Sequence, residues 1–155
     1  MKISIFTDEI SSDPFRALEL VKAWNVGAVE VRGLRGGRFP RVEDAELIAI
    51  NNAIREAGII VSSVSPGLFK CSVNDPKVEV EMNSLLPRAC EWAHKLGTDR
   101  VSIFSFQRGP ELEYEQVIES LVLATKIACE EGCKLILENE ASCWGGTGRE
   151  TAKLL

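Results

Sequence analysis

Four glycines, Gly27, Gly58, Gly97 and Gly132, punctuate this chain at spacings of 31, 39 and 35 residues. Each follows a helix-like stretch and precedes a strand-like one. The strand-like runs are Ala28-Val29-Glu30-Val31, Ile59-Ile60-Val61, Val101-Ser102-Ile103-Phe104 and Leu135-Ile136-Leu137. Glycine suits a helix C-terminus because it has no Cβ to clash in the left-handed conformation. One such junction would mean little. Four at similar spacing specify a repeated strand–helix unit, and therefore parallel strands joined by crossover helices.

The apolar pattern places strands at about residues 3–7, 28–32, 59–64, 101–106 and 134–138, and helices at about 14–24, 43–57, 78–96 and 114–131. A further helix begins near Arg149. Asp13 can cap the first helix and Pro14 fits its first position, where the missing N–H is harmless. Leu47, Ile50 and Ile54 form the inner stripe of the second helix. Met82, Leu85, Leu86, Ala89, Ala93 and Leu96 do so in the third, and Val117, Leu121, Ala124 and Ala128 in the fourth. Pro87 should distort the third helix, because its ring clashes with the preceding turn and removes a hydrogen bond. Residues 33–41 and 145–148 read as glycine-rich loops.

A chain of 155 residues with 45% hydrophobic content makes one domain with a core. The net charge of −5 argues against broad attraction to nucleic acid or an anionic membrane. No apolar run approaches the ~20 residues of a membrane span. The N-terminal segment turns acidic at Asp8, too soon for a signal peptide. The five cysteines, Cys71, Cys90, Cys129, Cys133 and Cys143, are odd in number and contain no Cys-x-x-Cys, as expected for reduced thiols in a cytoplasmic protein. Cys129 and Cys133 are separated by the Gly132 helix stop, which argues against a zinc pair.

In parallel α/β proteins, reactive groups gather beyond the carboxyl ends of the strands. The residues so placed are Asp8 and Glu9, Glu30 and Arg32, Ser65, Ser105 and Gln107, and Glu138 and Glu140. Glu138 is the sharpest candidate, because it interrupts Leu135-Ile136-Leu137 at a strand end. A carboxylate there costs several kcal/mol unless it is paired, protonated or bound to metal. The alternative is that Glu138 or Glu140 is solvated while the other pairs with an arginine. Glu30, between Val29 and Val31, is weaker, and pairing with Arg32 or a neighbouring strand would account for it. Asp8 could serve the site or cap a turn.

Arg32, Arg35, Arg38 and Arg41 recur every third residue, a pattern that suits phosphate recognition or simply a solvated basic loop. The Lys-Ser/Thr ending of a nucleotide loop and the Gly-x-Gly-x-x-Gly of dinucleotide folds are both missing. His94 lies late in a helix, away from the strand ends, so no Ser–His or Cys–His pair can be built. Trp144, beside Gly145-Gly146, could cover a bound ligand.

Taken together, Ile5-Phe6-Thr7-Asp8-Glu9-Ile10-Ser11, Val29-Glu30-Val31-Arg32 and Leu135-Ile136-Leu137-Glu138-Asn139 resemble the sugar phosphate isomerase/epimerase group of the xylose-isomerase-like TIM barrels. The Leu-Glu-Asn ending is the most specific part. The resemblance implies an α/β fold of (β/α) TIM-barrel type, of which about five of eight strand–helix units are present. A complete barrel takes ~250 residues. It also implies one divalent ion, manganese, magnesium, cobalt or zinc, with Glu138 as a ligand. The remaining Asp, His and Glu ligands would come from later strands. The implied chemistry is proton abstraction beside a sugar carbonyl through a metal-stabilised enediolate. Glu138 would be both ligand and acid–base residue. Glu30, Arg32, Ser65, Ser105, Glu140 and Trp144 would surround a small sugar or sugar phosphate.

On this reading the chain alone should be inactive and should self-associate or bind a missing C-terminal half. Two alternatives remain open. One is a non-catalytic assembly or binding module of half-barrel form. The other is an abasic-site endonuclease of the same superfamily, disfavoured by the acidic charge and by serines at the third and fourth strand ends.

Overall fold

In the computed structural model, residues 3–155 are described and Met1 and Lys2 lie outside them. The strands are β1 (Ser4–Phe6), β2 (Ala28–Val31), β3 (Gly33–Leu34), β4 (Gly37–Arg38), β5 (Ile60–Val64), β6 (Arg100–Ile103) and β7 (Lys134–Leu137). The helices are α1 (Thr7–Ile10), α2 (Pro14–Ala23), α3 (Asp44–Ala57), α4 (Lys77–Val80), α5 (Leu86–Lys95), α6 (Tyr114–Glu130) and α7 (Gly148–Leu154). Five strands form one sheet in the order β1-β2-β5-β6-β7, every neighbouring pair parallel. That is the sequential order expected of a barrel wall rather than a doubly wound sheet.

One face of the sheet carries the core. Val29, Val31, Val61, Val64, Val101 and Ile103 are buried together with Leu47, Ile50 and Ile54 of α3, Leu86, Ala89 and Ala93 of α5, and Val117, Leu121, Ala124 and Ala128 of α6. Each large aliphatic side chain buried this way contributes about 1.5–3 kcal/mol. The alternate strand positions carry Glu30, Ser63, Ser102 and Glu138, where Ser63 donates to Glu30 and Ser102 to Glu138 across strands, and Ser4 Oγ lies 2.6 Å from Ser62 Oγ. The barrel-side face therefore carries polar groups toward the carboxyl ends of the strands.

Local chemistry explains the element ends. Asp13 Oδ1 accepts from Phe15 N at 3.0 Å, capping α2 ahead of Pro14. Gly58, Gly97 and Gly132 have φ of +67°, +84° and +73°, as the junction pattern requires. Gly27 does not; Asn25 takes the left-handed turn after α2 instead, with φ of 56°. Asn tolerates that conformation better than other non-glycine residues.

The expected distortion near Pro87 is a π-turn over Glu81–Leu85, closed by Leu86 N donating to Glu81 O. The wider turn sets Pro87 at the start of α5, where it needs no donor. Two elements were not expected. The 33–41 loop folds into the β3–β4 hairpin, and Thr7–Ile10 make a single helical turn, α1. All five cysteines are free. Among the described residues, no helix is long and apolar enough to cross a membrane.

Candidate active site

The ladder between β6 and β7 continues one residue past the strand, where Glu138 N donates to Ile103 O at 2.9 Å. This fixes the Glu138 side chain on the barrel side, and Ser102 Oγ donates to its Oε2 at 3.3 Å. Three strands from β7, a register shift between Val29 and Glu30 brings Ser63 opposite Glu30. Ser63 Oγ donates to Glu30 Oε2 at 2.5 Å. Burial pushes the Glu30 carboxyl above its ordinary value; the Ser63 hydrogen bond opposes this, and the Glu138 charge adds to it. Two half-buried carboxylates thus share one polar face, each with a serine hydroxyl as donor. A cation on that face would relieve their mutual repulsion.

Among the described residues, no group of three or more His, Cys, Asp or Glu is placed to hold a metal ion. The donor chemistry of Glu138, an anionic oxygen with one long hydroxyl contact, suits a hard cation. The residues present therefore fit part of such a site and not a whole one.

Around this face lies a ring of charge. Arg32 Nε donates to Asp8 Oδ1 and Oδ2 at 3.1 and 2.9 Å, its Nη2 donates to Glu9, and its guanidinium lies 4.4 Å from the centre of the Phe6 ring. Arg38, at the end of β4, donates from Nε to Ser65 O at 3.3 Å and from Nη2 to Ser65 Oγ at 3.2 Å. Arg41 donates to Pro66 O at 2.6 Å and to the buried Glu81 at 3.2 Å.

The other expected residues occupy the loops after β6 and β7. Ser105 is fully buried, and its Oγ accepts from Gly145 N at 2.7 Å. Trp144 is 5% exposed, edge-on to Tyr114 at 5.5 Å, and its Nε1 has no hydrogen-bond partner among the described residues. Glu140 pairs with Lys70 at 2.7 Å, which holds its carboxyl below the usual range. His94 lies at the opposite end, bonded to Glu131 O at 2.8 Å.

The structure thus brings Glu30 and Glu138 onto one face, with Arg32 at the rim and Ser65 buried against Arg38. Ser105, after β6, is hydrogen-bonded to the loop that follows β7, where Trp144 lies. Sequence reasoning passed over Ser63 and Ser102, although a serine at an inward position of an apolar strand is a legible signal. It also passed over Glu81, which looks like any exposed helix glutamate.

The family model described as xylose isomerase-like TIM barrel matches residues 18–155. The chain belongs to this family. Solved structures agree in fold. A xylose isomerase-like TIM barrel protein from Mycobacterium smegmatis, in complex with magnesium, superposes with a TM-score of 0.78 at 13% identity, covering 99% of this chain and 60% of that one. A probable 3-DHS dehydratase from Bacillus anthracis gives 0.75 at 14% identity, covering 100% and 58%. A D-psicose 3-epimerase from Clostridium cellulolyticum, with D-tagatose, gives 0.72 at 16% identity, covering 99% and 58%. This xylose isomerase-like chain spans about 60% of the length of these structures. No curated protein sequence matches it.

Proposed function

We propose that this chain belongs to a divalent-metal-dependent isomerase or epimerase of small sugars, with Glu138 as metal ligand and proton-transfer residue. The observation that carries the reading is the half-buried Glu138 at the carboxyl end of β7, hydrogen-bonded by Ser102 and sharing its face of the sheet with the Glu30 carboxylate. A carboxylate so placed can take the proton from the carbon beside a sugar carbonyl and return it to the other face or to the neighbouring carbon. Glu30, on the same face, can accept a hydrogen bond from a sugar hydroxyl. Arg32 would border the substrate and Ser65 would hold Arg38, while Ser105, Glu140 and Trp144 would hold the flanking loop in place. When bound, a divalent cation would polarise the carbonyl. Further ligands would come from strands beyond these five.

Calorimetric titration of Mn²⁺ or Mg²⁺ into full-length protein and its Glu138→Gln variant tests the reading. Glu138→Gln should lose affinity by roughly tenfold or more, as one anionic oxygen is removed; equal affinity would contradict it.

A second reading, an assembly module, draws on the apolar groove beside the free edge of β7, lined by Ile103, Leu121, Val122, Leu135, Leu137 and Leu154. That reading predicts neither metal nor sugar binding in the same titration.

A further inference from the structure

We propose that Arg38 receives the carboxylate of a sugar acid, which makes an acidic sugar, rather than a neutral sugar or a phosphate ester, the substrate class of this site. The inference rests on the functional reading of the same mouth. Arg38 closes the β3–β4 hairpin, which is tied to the end of β2 by Phe39 N donating to Arg32 O at 2.8 Å. Its guanidinium packs against Gly67. A Cβ at Gly67 would come within 2.4 Å of Nε and 2.6 Å of Cζ, so only glycine leaves it room.

Nε and Nη2 each spend one hydrogen on Ser65. Nη1 and the second hydrogen of Nη2 have no partner among the described residues, and together they form one open edge of the fork.

The neighbouring arginines differ. Arg32 pairs with Asp8 and Glu9, and Arg41 pairs with Glu81. Among the described residues, Arg38 has no carboxylate within ion-pair distance, although it is partly buried. A half-buried guanidinium with no counter-charge in contact is less favourable than a paired one, and a ligand anion relieves it.

The size of that anion follows from the surroundings. Three arginines, Arg32, Arg38 and Arg41, face Asp8, Glu9 and Glu81, with the carboxylates Glu30 and Glu138 deeper in the face. Positive charge is therefore not in excess, and a dianionic phosphate would be repelled more strongly than a monoanion. A single planar carboxylate matches one free fork edge in both charge and geometry.

The test uses three ligands with one carbon skeleton: gluconate, sorbitol and sorbitol 6-phosphate. They are titrated into full-length protein with and without magnesium, by calorimetry and by ¹⁵N NMR of the arginine side chains. Gluconate should bind roughly tenfold or more tighter than either other ligand, as a charge-assisted contact implies, and should shift the Arg38 Nε–H resonance. Arg38→Gln should erase that preference and leave sorbitol unchanged. Gly67→Ala, which displaces the guanidinium without removing its charge, should weaken it, and the wild-type resonance decides if either variant fails to fold. Absent gluconate binding, preference for the phosphate ester, or preference surviving in Arg38→Gln would overturn the proposal. Because the magnesium-free arm does not depend on Glu138, failure of the metal reading leaves this result standing, and the converse holds.

Discussion

Glu81 should be among the most costly polar side chains to remove, although it is remote from the proposed chemistry. It sits in the π-turn, 6% exposed. Its Oε2 accepts from Phe69 N at 2.6 Å and its Oε1 from Arg41 Nη2 at 3.2 Å. Phe69 is held at φ of 61°, with its fully buried ring 5.0 Å from that of Phe106. A bulky residue in that conformation stores about 1–3 kcal/mol of strain, so the loop after β5 needs a strong anchor.

Glu81→Ala removes a hydrogen bond to a charged acceptor worth about 1.5–3 kcal/mol and leaves a buried N–H unpaired. The Arg41 pair adds less, because that side chain is 33% exposed and regains water on release. The sum is a loss of about 2–4 kcal/mol, or a fall in Tm of about 5–15 °C for a domain of this size. Glu81→Gln keeps an acceptor for Phe69 N and should cost only about 1 kcal/mol. Urea denaturation of the three proteins checks this. An alanine variant within about 0.5 kcal/mol of wild type, or a glutamine variant as damaged as alanine, would refute the anchoring role.

Ser105→Ala should destabilise by about 1–3 kcal/mol, since the buried Gly145 N–H loses its acceptor; the same denaturation series measures it. Glu30 has a folded-state pKa raised above its ordinary 4.5, chiefly by burial, so its ionisation opposes folding. Stability from this group is full below pH 4.5 and is lost as pH rises through the folded value. Glu30→Gln should therefore gain stability over wild type at pH 7 but not at pH 4, read from paired thermal melts. The open edges of β1 and β7, with the apolar groove beside β7, should make this chain self-associate at micromolar concentration. A monodisperse monomer by light scattering, unaltered by Val122→Asp, would contradict that.

The fold was legible because its signals are local. Three glycine junctions, the Asp13 cap and the apolar helix stripes each state one element, and repetition states the parallel order. The fourth junction illustrates the limit: at Gly27 the pattern is right, but Asn25 supplies the left-handed turn. Glu138 was legible because a lone carboxylate ending an apolar strand stands out. Glu30 was less so, since its partner Ser63 depends on a register shift that no pattern announces. Arg38 looked like one of four equivalent arginines. What separates it is which carboxylates reach its neighbours, and that is decided by the hairpin and by Gly67 across a separation of 29 residues. Glu81 had no signal at all, because its burial follows from the π-turn.

The most direct test of Glu138 as the proton-transfer group is solvent-hydrogen exchange. Full-length protein is incubated with Mg²⁺ in D₂O and an acidic or neutral ketose, and deuterium is followed by NMR at the carbon beside the carbonyl. Wild type should wash deuterium into that position, and Glu138→Gln should slow the exchange by roughly a hundredfold or more while keeping its fold. Exchange at the wild-type rate in Glu138→Gln would remove this carboxylate from the chemistry.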